Sequence, residues 1–236
     1  MDKTFESFWI TCKDGYQLAA QFYPAQEKKA EYPILICPAT GITKNFYHSF
    51  ATWLSQQGYD VLSFDFRGIG ESLHGALKQS TAHSAGGQLL GVVPNYNKVA
   101  KVITVAGSTG HIKGLKGKTK VLAPVMFNLI FPISSLVKGY GATQFIGMGE
   151  NLPKKVAQQW REFCSRPGYV KNAIGKTIFH DFHLDIQCPI TAIWADDDEI
   201  ATKRNVQELL SLYPNANKKM IELSPKDLGY KSIGHM

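Results

Sequence analysis

The sequence is poor in the features that mark secreted, repetitive or disordered proteins. Its 236 residues include only four cysteines, widely spaced and with no CxxC pair, so we expect reduced thiols rather than a disulfide framework. No repeat or low-complexity tract is present, which favours a globular chain with one substantial core. The first residues lack the basic-then-apolar layout of a secretory signal. Together these absences predict a cytoplasmic protein.

Positive charge is concentrated in one place, in a pattern that argues against nucleic-acid binding. The formal net charge is +7, and much of the excess lies in one glycine-containing segment with Lys113, Lys116, Lys118 and Lys120. No aromatic residue alternates with these lysines, whereas nucleic-acid binders tend to combine basic side chains with stacking aromatics. We interpret the segment as a solvated loop and predict no nucleic-acid partner. Attraction to an anionic lipid or an acidic substrate is the alternative.

One apolar run is too short to favour a membrane span. The residues from Val121 to Val137 carry no charge, but a span needs roughly 20 predominantly apolar residues. The run also contains Pro124 and Pro132, which interrupt a helix pattern. We therefore expect apolar helices that lie over a pocket, and we do not expect membrane association.

The first part of the chain alternates between strand and helix patterns. Two β-rich runs flank the turn Asp14-Gly15 and predict a hairpin. The apolar run Pro33–Cys37 is typical of a buried parallel strand, and Tyr59–Asp65 is a second strand. Between them, the segment Asn45–Gly58 has its apolar residues at helical spacing. A strand, a helix and a strand in this order predict a parallel sheet with a right-handed crossover.

Patterns of the same kind resume in the second half of the chain. Strands are predicted at Val99–Ala106, Cys188–Trp194 and Lys219–Leu223, with a helix at Lys203–Leu212. The first two of these strands are about eighty residues apart, far more than a crossover helix needs. We therefore predict a mostly parallel, doubly wound α/β sheet with an inserted helical cap. The predicted core is 1–110 with 185–236, and the predicted cap is 111–184.

Residues that could take part in catalysis or binding follow the predicted strands, where open α/β sheets place their ligands. They are the small-residue turn Ala39-Thr40, Ser84, the run Asp196–Asp198 and His235. A serine hydroxyl is a poor nucleophile until a histidine removes its proton, and the histidine needs a carboxylate that holds its tautomer and orientation. A serine, an aspartate and a histidine in this order along the chain favour nucleophilic catalysis.

Ser84 lies in the motif Ala82-His83-Ser84-Ala85-Gly86-Gly87. Small neighbours suit a nucleophile on a sharp strand-to-helix turn, because bulky ones two positions away would collide with the chain as it folds back. The pattern differs from G-x-S-x-G only in the alanine at its first position. An isolated motif of this kind is often only a tight turn, so the interpretation depends on the partners that follow it.

The segment Asp65–Ser72 resembles the D-x-R-G-x-G-x-S turn of capped α/β-hydrolases, the superfamily of serine esterases, lipases and aminopeptidases. The order of motifs extends the resemblance over 5–110 and 185–236, and Gly147–Pro153 is similar to an uncharacterised bacterial branch. The resemblance implies a serine hydrolase without cofactor or metal. It would cleave a small-molecule acyl compound, a carboxylic ester first of all, through an acyl-enzyme. A peptidase or amidase is the alternative within the same fold.

The resemblance also implies a role for each site residue. The catalytic residues would be Ser84 as nucleophile, His235 as general base and Asp198 as the carboxylate that orients the histidine. The backbone N–H groups of Ala85 and of Ala39 or Thr40 would form the oxyanion hole. Asp196 and Asp197 are rivals for the role of Asp198, and Arg67 is expected to brace its turn rather than to act in catalysis.

One part of the expected scaffold is missing from the sequence. Only eleven residues separate Ser72 from Ser84, too few for the helix and buried strand that the resemblance requires before the nucleophile. The chain also stops one residue after His235, where the family normally adds a helix. Either the natural molecule has further residues here, or the protein is a shortened, non-catalytic relative of hydrolases. Nothing in the sequence predicts the oligomeric state.

Overall fold

The computed structural model describes the following parts of the chain: 5–26, 29–75, 87–147 and 149–235. In chain order, the strands are β1 (Glu6–Thr11), β2 (Gln17–Tyr23), β3 (Ile34–Ile36), β4 (Val61–Phe64), β5 (Val102–Val105), β6 (Tyr140–Gly141), β7 (Leu152–Pro153), β8 (Ile190–Ala195) and β9 (Lys218–Leu223). The α-helices are α1 (His48–Gln56), α2 (Gly117–Val125), α3 (Phe131–Val137), α4 (Lys154–Ser165) and α5 (Lys203–Ser211). Packing divides the chain into two compact units, each with its own main sheet.

The first unit comprises Met1–Gly86 and Ile130–Ala157. Its main sheet has the strand order β1-β2-β4-β3. The hairpin predicted around Asp14-Gly15 is confirmed, because β1 and β2 pair antiparallel on either side of it. The parallel pairing of β3 with β4 is also confirmed, with α1 as the connection between them. The prediction for this segment succeeds because strand–helix–strand patterning is local in the sequence.

The helix α1 buries less of its apolar surface than its sequence suggests. The helical spacing predicts one shared face for Phe46, Phe50, Trp53 and Leu54. Of these four side chains only that of Leu54 is buried, and the three aromatic side chains are at least half exposed. The rings of Phe50 and Trp53 stack on each other instead, with their centroids 6.0 Å apart.

The second unit comprises Gly87–Leu129 and Gln158–Met236. Its sheet is fully parallel, in the order β5-β8-β9. The helix α5 connects β8 to β9 and buries Val206, Leu209 and Leu210 in the core of the unit. The three strands and the helix lie at the positions predicted from the sequence. Asp198 lies three residues after the end of β8, so the sheet positions that carboxylate.

The sequence predicts one mostly parallel sheet, whereas the structure has two main sheets of which the first is mixed. Within the described ranges, β3 pairs only with β4, and β5 pairs only with β8. Both strands carry large exposed apolar side chains: Leu35 on β3, and Ile103 and Val105 on β5. Each sheet therefore ends on an apolar edge strand, a feature that proteins usually cover or charge. The predicted cap of 111–184 contributes residues to both units.

Thr202 stabilises the start of α5, and its removal gives a first testable prediction. Its side-chain oxygen accepts a hydrogen bond from the Asn205 N–H at 3.4 Å and donates to the Gly114 carbonyl at 2.8 Å. We expect Thr202→Ala to lower the free energy of unfolding by about 1–2 kcal/mol, the usual effect of losing an N-cap. Urea denaturation measures this difference. Thr202→Ser keeps the hydroxyl and should retain most of the stability, so an equal loss in both variants would argue against the cap.

Candidate functional site

The structure brings two of the predicted catalytic side chains together. The Asp198 carboxylate is buried, and its Oδ2 lies 2.8 Å from Nδ1 of His235. Its other oxygen, Oδ1, accepts the backbone N–H groups of Ile200 at 2.7 Å and Ala201 at 2.8 Å. These two bonds fix the carboxylate, and the carboxylate in turn engages Nδ1 of the imidazole. The remaining ring nitrogen, Nε2, is the atom that exchanges protons in a serine–histidine–aspartate arrangement.

Asp197 holds the backbone that carries His235. Its carboxylate accepts hydrogen bonds from the Ser232 hydroxyl at 2.7 Å and from the backbone N–H groups of Ile233 and Gly234, both at 3.0 Å. The Ser232 hydroxyl, together with these N–H groups, lowers the pKa of Asp197. The three adjacent aspartates thus have different surroundings. Asp196 is exposed, Asp197 accepts hydrogen bonds from the backbone next to His235, and Asp198 contacts the imidazole of His235.

Loss of the hydrogen bonds from Ser232, Ile233 and Gly234 to Asp197 should reduce activity without removing any of the predicted catalytic groups. We expect Asp197→Ala to lower kcat by about 10²-fold, because displacing a catalytic group by about 1 Å has an effect of that size. Hydrolysis of a p-nitrophenyl ester, the kind of reaction that the sequence predicts, measures the change. Asp196→Ala is the matched control, since the neighbouring aspartate is exposed and should be replaceable with little effect. Equal activities of the two variants would contradict the positioning role of Asp197.

The predicted nucleophile Ser84 and the oxyanion-hole residue Ala85 lie outside the described residues. The structure resumes at Gly87, with a 3₁₀-helical segment from Gly87 to Val92. The sequence motif therefore stays the basis for both assignments, and Ser84 and Ala85 remain predictions.

The turn predicted to supply the other oxyanion-hole N–H belongs to the first unit. The N–H of Ala39 donates to the Tyr47 hydroxyl at 3.0 Å, and the Ala39 carbonyl accepts the N–H of Ile42 at 3.1 Å. Burial raises the pKa of Tyr47, so the phenol is protonated at neutral pH. An oxyanion bound by Ala39 would take the place of the Tyr47 oxygen. The neighbouring Thr40 is the alternative donor.

A buried ion pair fixes the end of this turn. Lys44 and Asp65 are each 1% exposed, and the Lys44 Nζ lies 3.0 Å from Asp65 Oδ2. The backbone N–H of Lys44 donates to the other Asp65 oxygen at 2.6 Å, and Nζ also binds the carboxylate of Glu71. The N–H of Glu150 donates to the Gly41 carbonyl at 2.7 Å. The turn at 39–44 is therefore held within the first unit by the contacts of Lys44 and by the hydrogen bond to the Gly41 carbonyl.

The D-x-R-G-x-G-x-S segment is held by contacts that explain its residue types. The Arg67 guanidinium forms two bonds of 2.5 Å with Asp14 and lies 4.7 Å from the centre of the Tyr16 ring. A Cβ at Gly70 would lie 2.6 Å from Asp65 Oδ2, and the φ of Gly70 is +53°. Glycine is required there on both grounds. The contacts of Arg67 agree with the bracing role expected from the sequence.

Sequence reasoning missed the functions of Lys44 and Asp197. A lysine that precedes an apolar helix gives no local sign of burial, and three adjacent aspartates cannot be distinguished by pattern. His180 and His183 have an i, i+3 spacing that could suit a metal ion, but His183 contacts the Asp181 carboxylate through Nδ1 at 2.6 Å. In the part of the chain that the structure describes, no three His, Cys, Asp or Glu side chains form a group suited to a metal ion.

Comparisons with known proteins give structural likeness but no close relative. No protein-family model and no curated protein matches the chain. It is similar to a soluble variant of monoglyceride lipase from Saccharomyces cerevisiae, with a TM-score of 0.64, 16% identity, and coverage of 95% of this chain and 88% of that one. The hydrolase GrgF from Penicillium has a TM-score of 0.53, 17% identity and coverages of 98% and 91%.

A third similar structure is a thermostable carboxyl esterase from Bacillus coagulans, with a TM-score of 0.55 and 12% identity. The match covers 93% of this chain and 90% of the esterase. Similarity over nearly the full length of each protein, at such low identity, establishes a shared fold.

Proposed function

Because the chain has the α/β-hydrolase fold, we propose that it is a serine hydrolase that cleaves a carboxylic ester. The observation that carries the proposal is the 2.8 Å contact between the buried Asp198 carboxylate and His235 Nδ1. A carboxylate after a parallel strand, fixed by backbone N–H groups and bound to a histidine, fits the orienting half of a catalytic triad. A structural role alone does not require that a buried carboxylate binds an imidazole whose side chain is 31% exposed.

In the proposed reaction, His235 Nε2 accepts the proton of the Ser84 hydroxyl while Oγ bonds to the carbonyl carbon of the ester. The tetrahedral intermediate collapses, the C–O bond to the alcohol breaks, and the imidazolium returns its proton to the leaving alkoxide. Water then attacks the acyl-enzyme by the same route and releases the carboxylic acid and the free Ser84 hydroxyl. Asp198 stabilises the imidazolium in both halves of the reaction.

The backbone N–H groups of Ala85 and of Ala39 or Thr40 would bind the negative oxygen of each tetrahedral intermediate. Loss of one such donor typically lowers the rate by about 10²–10³-fold. The pinned turn at 39–44 supports this role, because donors that are already oriented need no reorganisation during the reaction. If Ala39 is the donor, the hydrogen bond from its N–H to the Tyr47 hydroxyl would break when the substrate binds.

A second candidate is a non-catalytic protein of the same fold. The short interval between Ser72 and Ser84, and the exposed apolar edges of β3 and β5, favour this alternative. A peptidase or amidase is the alternative within the catalytic class, because the same side chains serve both bond types.

A substrate series tests the proposal and separates these candidates. The purified protein is assayed with p-nitrophenyl esters of graded chain length and with amino-acid p-nitroanilides. We expect ester hydrolysis with a burst of one p-nitrophenol per active site, as acyl-enzyme accumulation requires. Anilide hydrolysis faster than ester hydrolysis would favour the peptidase. Turnover of neither series by folded protein would overturn the proposal and favour the non-catalytic candidate.

A further inference from the structure

The helix α2 exposes apolar side chains where a surface helix usually carries polar ones. Val121, Leu122 and Val125 of α2 are exposed, and so is Leu129 in the π-helical segment Met126–Ile130 that continues α2. Their spacing of one, four and eight residues from Val121 places them along a single face. We call this set the α2 stripe. The sequence predicts that this segment lies over a pocket, but the side chains of the stripe are on the surface.

The opposite face of the same segment is buried in the second unit. Ala123, Met126 and Phe127 are buried, and the Phe127 ring contacts that of Trp160 edge-on with centroids 5.4 Å apart. The segment is thus apolar on its outer face as well as on its inner face. A large exposed apolar surface of this kind marks an interaction site or a membrane contact.

Exposed lysines surround the start of the α2 stripe. Their positions are Lys113, Lys116, Lys118 and Lys120. Arg204 adds a further cation nearby, since its guanidinium donates to the Lys113 carbonyl at 3.3 Å. A patch that combines basic side chains with apolar ones fits a partner that has a negatively charged surface and an apolar interior.

Glu199 is the acidic side chain that faces this end of α2, and it is engaged by the backbone. Its carboxylate accepts the N–H groups of Lys118 at 3.2 Å and Thr119 at 2.9 Å, and the Thr119 hydroxyl at 2.8 Å. These bonds, led by the Thr119 N–H, lower the pKa of Glu199. Glu199 therefore caps the helix, and the four lysine side chains outnumber it at this surface.

We propose that the α2 stripe and the lysines around it dock on an anionic lipid bilayer. The apolar side chains would enter the boundary between headgroups and acyl chains, while the lysines contact the headgroups, as in interfacial amphipathic helices. The helix would lie in the plane of the interface rather than cross the membrane, because its inner face packs against the protein. This proposal is independent of the catalytic one.

Length and composition alone do not distinguish these two modes of membrane contact. The helix α2 continues through a π-helical segment, Met126–Ile130, into α3. Within this continuous stretch, Thr119–Val137 is the one helical segment among the described residues that is long and apolar enough to cross a membrane, and 33% of its most apolar window is buried. The buried side chains of its first part, Ala123, Met126 and Phe127, favour contact from one side. On α3, Ile133 and Leu136 are exposed as well.

Vesicle co-sedimentation of the full chain tests the proposal. We expect binding to vesicles of equimolar phosphatidylcholine and phosphatidylserine, much weaker binding to phosphatidylcholine alone, and release by salt. Leu122→Asp should lower the partition coefficient by at least about tenfold, since it places a charge in the apolar layer. Leu184→Asp is the matched control, because Leu184 and Leu122 are both 62% exposed. Lys116→Glu with Lys120→Glu should abolish the preference for phosphatidylserine.

Several results would overturn the proposal. They are no co-sedimentation of folded protein, equal effects of Leu122→Asp and Leu184→Asp, and self-association that Leu122→Asp abolishes, which would identify a second copy as the occupant. Thermal unfolding of each variant confirms that it is folded. The assay is repeated with Ser84→Ala, so that vesicle binding is measured without catalysis and the two proposals can fail separately.

Discussion

Replacing Asp198 by asparagine is expected to lower kcat by about 10⁴-fold while leaving the fold intact. The Asp198 Oδ1 accepts two backbone N–H groups, so the amide oxygen of asparagine should keep that position. The amide NH₂ would then face His235 Nδ1 and donate to it. The imidazole would carry its proton on Nε2 and could no longer accept the proton of Ser84. Steady-state ester hydrolysis measures the loss.

The control for this change is Asp196→Asn, at an exposed position of the same aspartate run. It removes the same charge and should leave kcat within about twofold of the wild type, since exposed substitutions away from a site have small effects. Two outcomes would contradict the assignment: a similar loss in both variants, or full activity of Asp198→Asn. Unfolding curves of both variants separate a catalytic loss from a structural one.

Replacing Lys44 by methionine is expected to lower the free energy of unfolding by about 3–5 kcal/mol, the effect of leaving one partner of a buried ion pair uncompensated. Methionine has a similar length, so little volume is lost. The Asp65 carboxylate would remain buried with the backbone N–H groups of Lys44 and Glu71 as donors. Urea denaturation monitored by circular dichroism measures the difference. Because the pair fixes the turn at 39–44, kcat should fall as well.

Lys29→Met is the matched control for the lysine substitution. Lys29 pairs with Asp60 at 2.5 Å, but its side chain is largely exposed. Ion pairs of this kind contribute about 0–1 kcal/mol to stability. If Lys44→Met lowers the free energy of unfolding no more than Lys29→Met does, burial does not strengthen the contribution of the Lys44–Asp65 pair.

The parts of the fold that follow from local pattern could be predicted from the sequence. The hairpin at Asp14-Gly15 and the crossover through α1 depend on turn residues and on apolar periodicity within short segments. The approach of Asp198 to His235 also follows, because both residues come after predicted strands and the ends of parallel strands meet at one edge. These predictions need no knowledge of distant contacts.

The remaining features depend on contacts between distant residues. Lys44 and Asp65 are 21 positions apart, and Asp197 lies 36 positions from Ile233. Neither contact leaves a periodic signal in the sequence. The exposure of α2 could not be predicted for another reason: both faces of the segment are apolar, so periodicity does not identify the face that is buried.

The proposed activity requires that Asp198 and His235 activate Ser84 for attack on an acyl group. Its most direct test is intact-mass measurement after treatment with a fluorophosphonate, which forms a covalent bond with an activated serine. We expect one adduct per chain in the wild type, none in Ser84→Ala, and greatly slowed labelling in His235→Ala. Well-folded wild-type protein that forms no adduct, or an adduct that persists in Ser84→Ala, would contradict it.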